Sequence, residues 1–214
     1  MTDRRTLITS LGAGLLLAAG PRAFASTAAG LCLPADCVTC GPTGSTTAGP
    51  FYVANSPAAM DINLLRMPGT PLRVDGIVLG GRDGRRVQAG ARVELWHADS
   101  EGRYHPENSG DIARYRADEI NLRGQVVCDG DGRFTFTSIV PAHYGSRRRH
   151  LHWRIVADGH RALVTQTYWK DELGTARERR DPVDRDPEAC RWIDFRTDQG
   201  AATGQVVFVL RPAD

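Results

Sequence analysis

The chain has no internal repeat, no phosphate-binding glycine loop, no dinucleotide fingerprint and no Gly-x-Ser-x-Gly elbow. The sequence signs of solenoids, nucleotide enzymes and serine hydrolases of the elbow type are therefore missing. Helical periodicity is almost absent. No apolar run is long enough to span a bilayer comfortably, since the one near the start extends only from Leu7 to Ala19. An excess of one charge sign is also lacking. The formal net charge is +2, and removing the first 25 residues, which carry Arg4, Arg5 and Arg22 against Asp3, brings it to about zero. A neutral domain lacks the basic surface that nucleic acids require, so no nucleic-acid partner is expected.

What the first 25 residues do contain reads as an export signal. Arg4-Arg5 precedes the apolar run, and Ala23-Phe24-Ala25 fits a small-x-small cleavage site. A twin-arginine signal and a Sec signal fit equally well, and either places the protein in the periplasm with no membrane anchor in the mature form. Residues 26–48 follow as an irregular arm rich in Ala, Gly, Thr, Pro and Cys. Residues 49–214 are expected to form one domain. The five cysteines are Cys32, Cys37, Cys40, Cys128 and Cys190. Their odd number leaves one thiol over in an oxidising compartment. Cys32, Cys37 and Cys40 have no evident fourth zinc ligand nearby, so a disulfide tying the arm down is the favoured reading.

From Leu72 the pattern is that of strands. Leu72–Leu79, Ala91–Trp96, Gln125–Cys128, the segment with Phe134 and Phe136, Leu163–Trp169 and Gln205–Leu210 carry alternating or β-branched residues. Gly80–Gly84 and Asp129–Gly132 read as turns. Asp61–Met67 suggests a brief helical turn. Residues 97–120 form a long polar loop of the functional kind. Residues 171–191 are highly charged, with Pro182 and Pro187 breaking any long helix, and read as a solvated excursion. The fold class is all-β: an antiparallel β-sandwich of roughly seven to nine strands with long functional loops.

The organising stretch is Pro141–Trp153. On a strand His150 and His152 share one face, while Leu151 and Trp153 face a core. A lone His-x-His pair is more often a solvated face. Here Arg147, Arg148 and Arg149 stand beside it and disfavour protonated imidazoles, so neutral metal ligands are the better reading. Tyrosines number only five. Tyr104 lies just past a strand and Tyr144 in the loop before His150. A bound cation favours the phenolate form, and phenolate is a hard donor suited to ferric iron. No Asp or Glu lies in the His-x-His loop to build a two-His, one-carboxylate ferrous site. His97, His105, His143 and His160 read as loop residues, with His143 the best placed for a contact near the site. Arg148 and Arg149 read as solvent-facing. Tyr52 and Tyr168 read as core aromatics, with a place at the pocket mouth as the alternative for Tyr52, and Asp99 reads as a turn residue or an orienter of the Tyr104 loop.

Trp96-x-Ala98-Asp99-x-x-Gly102-Arg103-Tyr104, Arg123-Gly124-x-Val126, Asp131-Gly132-x-Phe134-x-Phe136 and Pro141-x-x-Tyr144-x-x-Arg147-x-x-His150-x-His152 together resemble the intradiol ring-cleavage dioxygenases. Gly49-Pro50-Phe51-Tyr52 and Thr165-Gln166-x-Tyr168 resemble flanking motifs of that family. The resemblance implies Fe(III) held by Tyr104, Tyr144, His150 and His152, with Tyr144 as the phenolate that leaves when substrate binds. It implies Arg147 facing the substrate ring and Gln166 beside the site. The implied partners are a catechol-type substrate and O2, and the implied product is a muconate-type dicarboxylate. His143 and Gly145-Ser146 depart from the family pattern around Tyr144, which implies a more open pocket. Two other readings remain: a non-catalytic transthyretin-like binding module, and a zinc or copper protein using His150 and His152. The oligomeric state is left open, a homo-oligomer included.

Overall fold

The structure, a computed structural model, describes residues 41–81 and 86–213. The export signal, Cys32, Cys37, Cys40 and the tip of the Gly80–Gly84 turn lie outside the described residues. The strands in chain order are β1 (Val53–Ala54), β2 (Pro71–Gly80), β3 (Arg86–Val87), β4 (Arg92–Trp96), β5 (Gly110–Asp111) and β6 (Arg123–Val127). They continue as β7 (Arg133–Ile139), β8 (His150–Val156), β9 (Leu163–Trp169), β10 (Trp192–Ile193), β11 (Arg196–Asp198) and β12 (Ala201–Val209). The single α-helix among the described residues, α1 (Ala176–Arg180), stops just before Asp181-Pro182.

Two sheets form a sandwich. One has the order β10-β9-β8-β4-β6, and the other runs β11-β12-β2-β3 with β7 also paired to β2. Seven strands have five or more residues, within the expected range. The pairing is mixed rather than purely antiparallel: β2 and β12 run parallel over Leu72–Leu79 and Ala202–Val209. Val78, Val206 and Phe208 on one face and Ile77, Leu79, Val207 and Val209 on the other are all buried, so these two strands are covered on both sides.

The period of two sets the core. Val93 and Leu95 of β4 and Leu151, Trp153 and Ile155 of β8 point inward to meet Phe134, Phe136 and Phe208 of the second sheet. Trp153 sits among those three rings at centroid distances of 5.9, 6.1 and 5.2 Å. Its indole N–H donates to Thr167 Oγ1 at 2.8 Å, so the largest inward side chain leaves no unpaired donor. Asp129–Gly132 is a turn, with Asp129 Oδ1 accepting from the backbone N–H groups of Asp131 and Arg133.

Four expectations need correction. Residues 61–67 form no helix. They make a turn tied by the Asn63 amide to the backbone of Met67. His97 is not a solvated loop residue. It continues the inward parity of Val93 and Leu95, is buried, and is hydrogen-bonded to Ser138 Oγ at 2.8 Å. Residues 171–191 are only partly solvated, because Glu172, Asp181 and Arg191 are buried in this strap. For the same reason Arg148 is buried and Arg149 is mostly covered, both paired to strap carboxylates.

The described end of the arm runs across the sandwich. Thr43 N donates to Val209 O and Thr46 N to Val164 O, while Thr165 Oγ1 donates to Gly44 O. Cys190 is in a disulfide and Cys128 is a free, buried thiol.

Candidate metal centre

The outward face of β8 carries His150 and His152, yet both are as buried as the core. Two loops roof them. One begins after β4 and carries Tyr104. The other precedes β8 and carries Tyr144. The two loops touch at Gly102, where φ is +84° and a Cβ would stand 2.3 Å from His143 O. Only glycine permits that approach.

Asp99 shapes the first loop. Its carboxylate is fully buried and accepts from Glu101 N at 2.8 Å, Arg103 N at 2.9 Å and His105 Nε2 at 2.8 Å. Burial raises its pKa, but those bonds outweigh burial and hold it below the usual carboxylate value. Arg123 ties the same loop to the segment ahead of β1. Its guanidinium donates to His105 O, Phe51 O and Pro106 O. Both residues build the site. Asp99 sits in the Tyr104 motif and Arg123 heads its own motif, and that placement was the available signal.

Three of the four expected ligands converge on one point. Tyr104 Oη lies 3.1 Å from His150 Nε2 and 3.0 Å from His152 Nε2. Tyr144 stands edge-on to Tyr104, with ring centroids 5.6 Å apart. Its hydroxyl has no hydrogen-bond partner among the described residues, and its ring is only partly buried. Phe51 stacks on Tyr104 at 4.4 Å and meets Tyr144 edge-on at 5.3 Å. Trp96 stacks on His152 at 5.0 Å.

The donor set fits a cation. His150 Nδ1 is fixed on Arg148 O at 2.7 Å, so its Nε2 carries a lone pair. His152 Nε2 is aimed at the same phenol oxygen, and His152 Nδ1 is buried without a partner. If both Nε2 atoms are bare, one hydroxyl hydrogen must serve two acceptors. If His152 Nε2 is protonated instead, the lone pair on its Nδ1 is stranded in a dry site. A cation taking both Nε2 lone pairs ends the competition for the phenol hydrogen. Burial, with Arg147 adding to it, lowers the His150 pKa to about 3. Burial, with His150 adding to it, holds His152 well below its usual value. Both imidazoles are therefore neutral donors. Burial raises the Tyr104 pKa, while the nearby Arg147 charge pulls it back. The phenol thus needs a bound positive charge to ionise. Three or more His, Cys, Asp or Glu side chains do not cluster to hold a metal among the described residues. The phenols are what complete this donor set.

Arg147 and Gln166 stand beside the centre. Gln166 is the cross-strand neighbour of His152. Its Oε1 accepts from Arg147 Nη2 at 2.6 Å and its Nε2 donates to Thr47 O at 2.9 Å. His143 faces the strap, with its Nε2 2.9 Å from Glu172 Oε1. Tyr52 is only partly buried rather than a core residue, packing on Trp96 and donating to Glu94 Oε2, whereas Tyr168 is buried as expected, with its hydroxyl on Asp184. Sequence reasoning missed the strap carboxylates Glu172 and Asp181. Nothing local in 171–191 distinguishes them from their solvated neighbours.

Fold and donor set together define a class: an all-β sandwich with a two-phenol, two-imidazole candidate centre on one outer face. A family model described as Dioxygenase matches residues 47–177, more than half of the chain. Catechol 1,2-dioxygenase 1 of Acinetobacter lwoffii is 35% identical over 150 residues, covering 59% of this chain and 46% of that protein. Hydroxyquinol 1,2-dioxygenase of a Rhizobium species is 33% identical over 152 residues, covering 62% and 49%. Among solved structures, the dioxygenase domain of a dioxygenase carbohydrate-binding protein fusion from Streptomyces sp. SirexAA-E is similar, with a TM-score of 0.65 at 28% identity. That match covers 80% of this chain and 99% of that domain. The chain spans about half the length of the curated relatives it matches. It belongs to the intradiol ring-cleavage dioxygenase family.

Proposed function

We propose that the protein is an intradiol dioxygenase that opens a catechol-type ring with O2 to a muconate-type dicarboxylate at a ferric centre. The observation that carries this reading is the meeting of Tyr104 Oη with His150 Nε2 and His152 Nε2 at 3.1 and 3.0 Å, with Tyr144 beside them. Family membership supports it. Tyr104, Tyr144, His150 and His152 would hold Fe(III). Ferric iron, when bound, would supply a Lewis acid for a catechol and make its ring reactive toward O2.

The chain's own residues do the rest. Tyr144 Oη has no competing partner among the described residues and its ring is only partly buried, so it is the side chain that would withdraw and, as the phenolate, take the proton from an incoming hydroxyl to become a neutral phenol. Tyr104 and Tyr144 as phenolates would offset two of the three charges of ferric iron, and the proton taken by Tyr144 would keep the net charge of the site nearly unchanged as substrate enters. Arg147 presents its guanidinium to negative charge developing on the ring. Gln166 holds Arg147 in place. Phe51 and Trp96 flank the ligands with apolar surface and keep water from His152 and Tyr104.

We also propose that the protein is exported to the periplasm through the signal in residues 1–25. Replacing Arg4-Arg5 by Lys-Lys blocks export if the twin-arginine route is used and leaves it unchanged if the route is Sec.

The test of function is direct. Purified protein should hold iron, show the visible colour of ferric phenolate, and consume O2 with ring opening of catechol, protocatechuate or hydroxyquinol. Colourless protein filled with zinc, or iron-loaded protein that opens none of the three rings, would overturn the reading.

A further inference from the structure

We infer that Asp181, on the strap well outside the ligand motif, is the positioning residue that aims Arg147 at the reacting ring. The inference rests on the proposed function for its consequence and on geometry for its substance. Asp181 is buried, and its side chain has no exposed surface. Oδ1 accepts from Arg147 Nε at 2.7 Å, and Oδ2 accepts from the backbone N–H of Arg148 at 3.1 Å. Oδ1 also accepts from Val183 N at 3.0 Å, which closes the strap's own turn. A single carboxylate therefore grips the side chain of one arginine and the backbone of the next.

Neighbouring contacts make the grip directional. Arg148 runs past the same carboxylate, its Nε 3.5 Å from Oδ2, and its guanidinium ends away from the centre, 3.9 Å over the Tyr168 ring and 5.0 Å over Trp192. Arg177 Nη1 donates to Gly145 O and Arg147 O, fixing the backbone on either side of Ser146. With Nε held by Asp181 and Nη2 by Gln166, two of the three nitrogens of the Arg147 plane are fixed. Nη1 is left with no hydrogen-bond partner among the described residues, and it is not one of the buried unpaired atoms. That is the nitrogen available to a substrate. Gln166, which holds Nη2 at 2.6 Å, is the cross-strand neighbour of His152, and this places Arg147 against the centre. A planar guanidinium pinned at two nitrogens delivers the third with little freedom to lose, and that is how positioning raises rate rather than binding.

The experiment is a double-mutant cycle on the iron-loaded enzyme with Asp181→Asn, Arg147→Ala and the pair, reading kcat and KM for catechol. Glu178→Gln is the control, because Glu178 pairs with Arg148 and not with Arg147. Asp181→Asn should lower kcat at least about tenfold with little change in KM, as expected for a misplaced group. It should have no further effect in the Arg147→Ala background, whereas Glu178→Gln should leave kcat near wild type. Additive losses in the cycle would overturn the inference, and so would a stable Asp181→Asn protein with unchanged kcat. If Asp181→Asn does not fold, Asp181→Glu keeps the charge and shifts the carboxylate. It should change kcat in the wild-type background and not in the Arg147→Ala background.

A second readout does not depend on turnover. Hydrogen exchange of the Arg147 Nε–H, followed by NMR, should be slow in the wild type and fast in Asp181→Asn. Unchanged exchange overturns the inference even if no substrate is found. Wild-type protein that opens no ring while keeping a protected Arg147 Nε–H would sink the proposed function and leave the positioning intact.

Discussion

Over His150–Trp153 the two faces of β8 are nearly equally buried and entirely different. Inward, Leu151, Trp153 and Ile155 are covered by side chains from the opposite sheet. Outward, His150 and His152 are covered by loops and by the segment before β1, and their exposure is only 4% and 3%. Burial by a sheet excludes water with carbon and asks only for shape. Burial by loops excludes water with phenols, arginines and backbone carbonyls and builds a polar cavity of fixed geometry. One strand therefore supplies stability from its odd-numbered residues and chemistry from its even-numbered ones.

Substitutions should separate the two roles. Trp153→Ala removes the ring at the centre of the aromatic cluster and should cost about 3–5 kcal/mol of stability, measured by chemical denaturation. One residue away, His152→Ala should weaken iron binding by more than about 100-fold, beyond the range of outer-sphere partners. Its melting temperature without metal should change much less than that of Trp153→Ala. Similar unfolding in both variants would erase the distinction between the faces.

Gly102→Ala probes the roof alone. Forcing a Cβ toward His143 O at positive φ should cost about 1–3 kcal/mol. It should also lower kcat by separating the two phenol loops, seen in steady-state kinetics beside a thermal melt.

His97 tests the inward face with a titrating group. Burial, opposed by the hydrogen bond to Ala98 O, holds its pKa at about 4, against an ordinary value of 6.5. Above that ordinary value the ring is neutral in both folded and unfolded chains. Below it the unfolded chain gains a proton that the folded one refuses. Stability should therefore fall as pH drops from 6.5 toward about 4, by about 1.4 kcal/mol per pH unit from this group. Urea titrations of metal-free protein should show that slope, and His97→Gln should reduce it. The smallest effect belongs to Tyr115→Phe. That hydroxyl donates only to Ser109 O on the exposed loop, so activity should stay within about twofold and stability within about 0.5 kcal/mol.

These contrasts also explain what the sequence could disclose. Alternation along 150–153 assigns the histidines and the tryptophan to opposite faces without a structure, because a strand's period is local. Resemblance to the family's motifs marks Tyr104 and Tyr144, because each sits in a short stretch that can be matched locally. The same period carried on from Val93 and Leu95 would have placed His97 inside. The burial of Arg148 and Asp181 has no such local sign. Their partnership joins residues 33 positions apart in the chain, and each reads alone as a solvated charge. Long-range ion pairs are invisible to pattern, and here they decide how the Arg147 side chain lies.

The parallel ladder between β2 and β12 has a consequence for synthesis. Leu72 must wait for Ala202, and Leu79 for Val209, before that side of β2 has a neighbour. On a translating ribosome, the apolar run Ile77–Leu79 is therefore finished long before its companion emerges. During that interval it is an open edge able to pair with any extended chain nearby, and assembly of the second sheet is a late event that closes the longest loop between paired strands among the described residues.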